Sequence, residues 1–245
     1  FSSQNIDAHL IIPTRKGNDI VSGDPYEYYS VKENFHIKKL WTIDPYFLMK
    51  MPQGIYIKFQ SFFFMMSLCI FLFFQNKKDS IFYTREEYLI AILLKFSKKV
   101  IWECHSLPSN ISFYKKSWDK LHGIITVTSF LKKELINLGI SENKIFVSHD
   151  GIDLNQFYST SRDTDIRKKL NVPENKRMIL YVGHLYEWKG ADILAQSAEF
   201  LPDNYCVVFI GGTPSNIRRF KLHYGNNKKI KIIGHIPHKN VPQIL

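Results

Sequence analysis

Residues 177–194, RMILYVGHLYEWKGADIL, follow the order of a strand, a turn bounded by glycines and the start of a helix. The run 177–183 is β-branched or aromatic and ends in glycine, and the runs 205–211 (YCVVFIG) and 230–234 (IKIIG) repeat this pattern. Between the first two runs, residues 191–200 place apolar side chains at the helical spacing i, i+3, i+4, i+7. Apolar strands that alternate with helices predict a parallel sheet covered on both faces.

The first half of the chain follows the same alternation with different loops. Strands are predicted at 6–13, 80–84, 99–103, 123–128 and 144–148. Thr84 and Glu87 form a T-x-x-E capping box that predicts a helix through about Phe96. A further helix carries Leu131, Leu135 and Leu138 and is expected to end at Gly139. Residues 14–60 show no clean period, so we expect them to form a long excursion from the sheet.

These patterns predict an α/β fold of two Rossmann-like parallel-sheet domains, the second one truncated. The first domain would span 1–158, a polar linker 159–172, and the second domain 173–245. The second domain would then hold three strands, whereas a doubly wound domain has five or six. The first domain lacks an opening strand followed by a glycine-rich turn. We therefore expect a fragment.

The charge and the cysteine content narrow the classes of partner. The net charge of +11 points to anionic partners such as nucleic acid, lipid headgroups or phosphorylated molecules. The basic residues are scattered in pairs and no recognition motif for nucleic acid is present, so we expect no nucleic-acid partner.

Cys69, Cys104 and Cys206 show no C-x-x-C spacing, which disfavours a zinc site or a disulfide framework. Reduced thiols in a cytoplasmic protein are the expectation.

Residues 61–74, SFFFMMSLCIFLFF, are apolar on every side. As a helix they would be about 21 Å long at about 1.5 Å per residue, short of the roughly 30 Å hydrocarbon core of a bilayer. We favour a buried helix for this run. The alternative is partial insertion into a membrane surface, with Lys77 and Lys78 at the headgroups.

Candidate site residues follow from the position of ligands in open parallel sheets, which bind beyond the carboxyl ends of the strands. The rule selects 84–85, 103–106, 128–129, 149–151, 183–190, 211–213 and 234–237. In the turn, Gly183 lets the backbone approach a ligand, and Lys189 adds a point charge before a helix N-terminus that favours phosphate. The alternative is a solvated Lys189 with Trp188 packed against the helix, and the spacing alone leaves both open.

The sequence also resembles a known family. Five segments carry the resemblance in the family's order: 79–108, 123–157, 181–194, 207–220 and 230–245. The last three resemble the nucleotide-sugar domain of family-four glycosyltransferases, the retaining group with two Rossmann-like domains in the GT-B architecture. The first resembles the strand, helix and strand that lead to the family's Glu-x-His site. The second resembles the segment that closes the first domain.

The resemblance implies a donor site in the second domain. Lys189 would hold the diphosphate of the donor, where a cation stabilises the charge that develops on the departing phosphate. His184 stands where the family usually has an arginine. Donor affinity would thus depend on Lys189, or on a His184 that gains a proton when the diphosphate binds. The other donor-binding residues implied are Gly183, Gly211 and Gly212, which let the backbone approach the nucleotide, and His235, Ile236 and Pro237, which lie along its base.

The resemblance also implies a catalytic site in the first domain. His105 matches the histidine beside the transferred sugar, and Glu103 shares its strand end. Asp150 and Gly151 would lie near the cleft, although Gly151 fits a plain turn residue equally well. Because Lys189 can neutralise the diphosphate, we expect no metal and no other cofactor.

The leading hypothesis is a cytoplasmic glycosyltransferase that uses a nucleotide-sugar donor. The acceptor would be a glycan or lipid-linked, in surface polysaccharide or glycolipid synthesis, and the enzyme would dock peripherally on an anionic membrane. The alternatives are a soluble sucrose- or glycogen-synthase-like transferase and a non-catalytic partner subunit that keeps the fold. The family's glutamate pair would lie beyond Leu245 and its glycine-rich loop before Phe1, so we expect this fragment to be inactive alone.

Overall fold

The computed structural model describes residues 6–15, 24–29, 31–45, 53–75, 79–152, 154, 157, 166–237 and 240–244. The chain divides into two compact units. The first comprises Phe1–Ser22 and Glu33–Ile152, and the second comprises Gly23–Lys32 and Asp153–Leu245. Each unit contains a parallel sheet flanked by helices, which confirms the predicted fold class.

The first unit begins with a small sheet that the sequence predicts only in part. Strand β1 (His9–Pro13) lies inside the predicted strand 6–13, but it pairs in parallel with β2 (His36–Leu40) in a separate two-stranded sheet. β2 lies in the stretch 14–60, where we expected no strand. Its sequence HIKKL contains two consecutive lysines and therefore no apolar period. The short helix α1 (Pro25–Tyr29) belongs to the second unit.

Helix α2 (Gln53–Phe73) is longer and more exposed than the sequence predicts. Its 21 residues give a length of about 31 Å at about 1.5 Å per residue. By length and composition it could cross a membrane, and 22% of its apolar window is buried. The expectation of a buried helix was therefore wrong. Its buried side chains are confined to one face and comprise Gln60, Phe64, Leu68 and Leu72. Lys77 and Lys78 lie outside the described residues.

The main sheet of the first unit confirms the other predicted strands. Its order is β3 (Phe82–Thr84), β4 (Val100–Cys104), β5 (Gly123–Thr126) and β6 (Ile145–Val147), all parallel. Three helices alternate with these strands in the chain: α3 (Glu87–Phe96), α4 (Ile111–Trp118) and α5 (Ser129–Asn137). The sequence analysis missed α4. In the core of this unit, Trp102 of β4 stacks on Trp118 of α4 with their ring centroids 5.0 Å apart.

The helix ends test the capping predictions. α3 has the predicted bounds, but the Thr84–Glu87 capping box was wrong, because Glu86 is the N-cap. The Thr84 hydroxyl instead accepts from the Glu86 backbone N–H (3.0 Å), two residues on. The stop at Gly139 is confirmed. Gly139 has φ 89°, and the backbone N–H groups of Gly139 and Ile140 donate to Ile136 and Leu135, which is a Schellman motif.

The second unit confirms the predicted three-stranded sheet. Its strands β7 (Arg177–Val182), β8 (Tyr205–Ile210) and β9 (Ile230–Gly234) pair in parallel in that order. The helices are α6 (Ile166–Lys169), α7 (Ala191–Ser197) and α8 (Pro214–Tyr224). Thr213 and Asn216 form a capping box at the start of α8 that the sequence analysis did not identify. Part of the predicted linker, 159–165, lies outside the described residues, and its boundaries stay a prediction.

All three cysteines are free thiols, as expected. Cys104 and Cys206 are buried, whereas Cys69 is half-buried on α2. Burial raises the pKa of the Cys104 thiol to about 12. This thiol therefore remains protonated at neutral pH and is a poor nucleophile.

Candidate functional site

The loop after β7 has the irregular backbone that its two glycines indicate. Gly183 has φ 154° and Gly190 has φ 74°, conformations that other residues rarely adopt. Between them, Glu187–Lys189 form a 3-10 turn. The regular helix α7 then begins at Ala191 and is seven residues long. Lys189 is thus carried by a turn between the strand and the helix, as predicted.

The polar and aromatic side chains of this loop are exposed. The rings of His184 and Tyr186 stack at a centroid distance of 5.0 Å, and those of Tyr186 and Trp188 at 6.1 Å. The Lys189 Nζ lies over the Trp188 ring, 5.1 Å from its centroid. Trp188 is 79% exposed, so its packing against the helix was wrong, whereas the exposed Lys189 agrees with the solvated lysine of the same alternative. The Lys189 amine lies at the surface of the loop, beside an exposed indole.

The loop after β7 is held in place by contacts with the core of the second unit and with α8. Leu185 is fully buried in the core of the second unit. Arg219 of α8 donates to the Leu185 carbonyl (3.1 Å) and to both carboxylate oxygens of Asp192 (3.2 Å each). The hydrogen bond to Asp192 raises the pKa of Arg219. The Tyr181 hydroxyl donates to the His184 carbonyl (2.8 Å). Sequence reasoning missed Arg219, because the pair Arg218–Arg219 resembles an ordinary solvated helix face.

The glycines beyond β8 have a packing role. Gly211 has φ 111° and Gly212 has φ 92°. A Cβ atom on Gly211 would lie 2.4 Å from the Gly183 carbonyl oxygen, and one on Gly212 would lie 3.1 Å from Leu185 Cδ1. The Gly211 N–H also donates to the Gly234 carbonyl (2.7 Å). Because packing alone requires glycine at 211, the implied approach of a nucleotide to Gly211 and Gly212 stays a prediction.

The residues implied along the nucleotide base follow β9. His235 and Pro237 are exposed. Ile236 is half-buried and packs against the apolar cluster that includes Leu170 and Ile244. A backbone segment anchored by one apolar side chain is compatible with the implied role, which stays a prediction.

Three predicted residues of the first unit lie together. Glu103 and His105 lie at the end of β4, and Asp150 follows β6. One side-chain ligand atom from each lies within 4.8 Å of the other two, a grouping that could hold a metal ion. Gly151 is adjacent and exposed, and a Cβ atom there would meet open space. Among the described residues, no packing contact requires glycine at 151.

Two further side chains complete this cluster. Arg85 Nη2 lies 3.3 Å from Glu103 Oε1, and Arg85 Nε donates to His105 Nε2 (3.0 Å). The Tyr83 hydroxyl donates to Glu103. The strand-end rule selected Arg85 without assigning it a role, and it missed Tyr83, which lies inside β3. The alternation of strand side chains could have identified Tyr83, because it places every second residue on one face.

The cluster favours a charged carboxylate. Desolvation would raise the pKa of Glu103, yet the hydrogen bonds from Tyr83 and His105 and the charge of Arg85 outweigh it and lower this pKa. Desolvation and the hydrogen bond to Glu103 raise the pKa of Tyr83, so the phenol stays protonated and remains a donor.

The histidine of the cluster has two competing partners. His105 Nε2 lies 2.5 Å from Glu103 Oε1 and 3.0 Å from Arg85 Nε. A ring nitrogen cannot donate and accept at once. His105 therefore either donates to Glu103 or accepts from Arg85, and the choice fixes which ring nitrogen carries the proton.

Comparisons with known proteins identify relatives among the glycosyltransferases. The family model described as glycosyl transferases group 1 matches residues 162–245. The N,N'-diacetylbacillosaminyl-diphospho-undecaprenol alpha-1,3-N-acetylgalactosaminyltransferase of Campylobacter jejuni is 29% identical over 128 residues, which are 50% of this chain and 34% of that protein. The matched part of the chain thus spans about a third of the length of this curated relative.

Solved structures share the fold. The structure of Anabaena Alr3699/HepE in complex with UDP superimposes with a TM-score of 0.61 at 12% identity, over 97% of this chain and 71% of that one. The apo form of the lipopolysaccharide outer core galactosyltransferase WaaB gives a TM-score of 0.54 at 11% identity, over 96% and 71% of the two chains. At such identities these similarities show the fold alone.

Proposed function

We propose that the chain, whose residues 162–245 match the model of glycosyl transferases group 1, is a GT-B, family-four type enzyme that moves a sugar from a nucleotide-diphosphate-sugar donor to a glycan or lipid-linked acceptor. The Campylobacter relative is named for an acceptor with a diphospho-undecaprenol carrier. That name supports a lipid-linked acceptor, and we propose that the product is a surface polysaccharide or glycolipid made at the cytoplasmic face of a membrane. The observation that carries the proposal is the exposed Lys189 amine on the glycine-bounded loop after β7.

The loop would bind the donor through its diphosphate. Lys189 supplies a full positive charge, and Gly183 leaves the backbone beside it without a side chain. Negative charge develops on the departing phosphate when the donor bond breaks. A cation at that position stabilises the transition state more than the ground state. The contacts of Arg219 to Asp192 and to the Leu185 carbonyl hold the loop in place before the donor arrives.

In the first unit, His105 would contact the transferred sugar. Glu103 would act as a positioning residue, since its carboxylate lies within hydrogen-bond distance of the His105 ring. Arg85 would keep Glu103 ionised, in line with the lowered pKa of that carboxyl. In keeping with the family resemblance, we propose that the anomeric configuration is retained.

We also propose that transfer does not need a metal. Glu103, His105 and Asp150 could form a metal site, but the Arg85 guanidinium already lies against two of these three groups. A divalent cation placed there would face a positive charge at short range. Chelator treatment of the full-length protein should therefore leave its activity unchanged.

The test measures release of nucleoside diphosphate from a donor by the full-length protein. Lys189→Met should lower the rate by about a hundredfold, the usual cost of removing one group that stabilises transition-state charge. Lys221→Met removes an exposed lysine from α8 and serves as the matched control, with no expected effect. A Lys189→Met protein that retains the wild-type rate would refute the proposal.

A second candidate function is supported by His184. It stands where the family resemblance places an arginine, so an imidazole replaces a guanidinium that is always charged. This departure would suit a non-catalytic partner subunit that keeps the fold. The full-length protein would then bind a nucleoside diphosphate but release none from any donor, whether or not Lys189 is present.

A further inference from the structure

Helix α2 presents a long apolar face that no described part of the chain covers. Its inner face packs into the core of the first unit through Phe64, Leu68 and Leu72. The outer face is formed by Phe59, Phe62, Met66, Ile70 and Phe73, each about half exposed or more. Steps of three and four residues place these side chains in one stripe along the helix. Contiguous apolar surface of this kind is uncommon on a monomer and marks a contact with a membrane or a protein.

The apolar surface continues onto the neighbouring helix. An open groove of about 390 Å³ lies along the stripe and reaches Ile92 of α3. On the α2 side it is lined by Phe62, Met65, Met66, Cys69 and Ile70. Thioethers and aromatic rings offer adaptable apolar contacts, so the groove suits flexible hydrocarbon rather than a polar ligand.

Lysines border this surface. Lys58 lies on α2 one turn before Phe62, and Lys95 is exposed on α3 one turn after Ile92. The sequence of α2 contains no Asp or Glu. An apolar stripe bordered by lysines is the pattern of helices that lie in the interface of an anionic membrane.

The packing excludes a spanning orientation. A helix of 21 residues is long enough for the roughly 30 Å hydrocarbon core. Crossing it, however, would pull Phe64, Leu68 and Leu72 out of the core that they share with Leu40 of β2 and Ile90 of α3. A helix with one face in a protein core and the other exposed can instead lie parallel to the membrane plane.

We propose that α2 docks the first unit on an anionic lipid bilayer, with the stripe at the acyl boundary and the bordering lysines at the headgroups. We assign this face to a bilayer for three reasons. Its apolar surface is large enough to contact acyl chains, lysines border it, and α2 contains no carboxylate. This docking proposal rests on the proposed function in that it supplies the membrane at which the sugar transfer would occur. Its evidence, however, comes from α2 alone. It can fail while the transfer proposal stands, because vesicle binding needs no turnover.

The experiment uses the full-length protein and vesicles of phosphatidylcholine, alone or with an equal part of phosphatidylglycerol. Sedimentation should show binding to the anionic vesicles that is at least tenfold tighter than to the neutral ones. The double variant Phe62→Glu, Met66→Glu should lose at least tenfold in affinity for the anionic vesicles. Phe200→Glu alters an exposed phenylalanine of the second unit and is the matched control, with no expected change. Equal binding by the double variant and the wild type would overturn the proposal.

A second readout reports the location of the stripe itself. All the positions changed are exposed, so the variants should fold. The emission of the tryptophan introduced by Phe62→Trp is obtained by subtracting the wild-type spectrum. Its maximum should move to shorter wavelength when anionic vesicles are added. Emission that is already blue-shifted without vesicles would show that another segment or a second copy of the chain covers the stripe. That result, or no shift at all, would overturn the proposal.

Discussion

Alanine substitutions at Gly190 and Gly211, compared with one at Gly151 of the first unit, separate a packing role from a ligand-binding role at the edge of the second sheet. At Gly151 a Cβ atom meets open space, so alanine should change stability by less than about 0.5 kcal/mol. At Gly190 the space is also open but φ is +74°, and the left-handed conformation costs about 1–2 kcal/mol. At Gly211 φ is +111° and the Cβ atom would lie 2.4 Å from the Gly183 carbonyl oxygen.

Gly211→Ala should lower the free energy of unfolding more than Gly190→Ala does. At Gly211 the Cβ atom meets the backbone of Gly183, and neither of these two backbone segments can move freely. A normal contact needs a separation above about 3 Å, so one strand end must shift while the Gly211 N–H remains bonded to the Gly234 carbonyl. Strain of about 1–3 kcal/mol added to the conformational cost of about 1–2 kcal/mol gives roughly 2–5 kcal/mol.

The assay is urea unfolding of the full-length protein, followed by hydrogen exchange at the backbone amides of β7, β8 and β9, which report on the second unit alone. Gly151→Ala, in the first unit, is the control and should leave the free energy of unfolding of the second unit unchanged. Gly190→Ala should lower it, and Gly211→Ala should lower it further. If Gly211→Ala costs no more than Gly190→Ala, the packing explanation is refuted. A loss of nucleotide affinity without a loss of stability would then show that the glycine serves the ligand.

Further predictions concern the two ion-pair networks and the first core. The lowered pKa of Glu103 gives stability that is present above the unfolded-state value of about 4.3 and is lost as pH falls through the folded-state value. The stability difference between the wild type and Glu103→Gln in urea unfolding should therefore shrink between about pH 7 and about pH 3, and an unchanged difference would contradict the assigned contacts. Neither Trp118 nor its stacking partner has a hydrogen-bond acceptor for its indole N–H among the described residues. Trp118→Ala should therefore cost about 3–5 kcal/mol in thermal unfolding and Trp118→Phe clearly less, whereas equal losses would indicate an indole hydrogen bond. Arg219→Met should destabilise the second unit by about 1–2 kcal/mol and Arg218→Met by less than about 0.5 kcal/mol; equal effects would argue against the anchoring of the loop.

The sequence predicts the second unit well because its strands are buried on both faces. Residues 177–183, 205–211 and 230–234 gave β7, β8 and β9 within one residue at each end. β2 could not be found in this way, because its lysines interrupt the apolar period and its pairing with β1 depends on a segment far away in sequence. α2 was misjudged because composition shows that a helix is apolar but not which face the rest of the chain covers.

The residues of the candidate site were likewise predicted only in part. The rule that ligands bind at the carboxyl ends of parallel strands brought Glu103, His105 and Asp150 to one place. The contributions of Arg85 and Arg219 could not be predicted, since an arginine beside other charged residues looks solvated until its partner is known. Each partner lies 18 or more residues away in sequence, so tertiary packing rather than local pattern decides the contact.

The central claim is that the Lys189 amine neutralises the diphosphate of a donor, and calorimetry of nucleoside diphosphate binding tests it most directly. The full-length protein is titrated with a nucleoside diphosphate and with the matching nucleoside, as the wild type and as Lys189→Met. A lost charge-assisted hydrogen bond of about 1.5–3 kcal/mol predicts a roughly ten- to hundredfold weaker diphosphate affinity, with the nucleoside affinity unchanged. Equal diphosphate affinity of the two proteins would contradict the account.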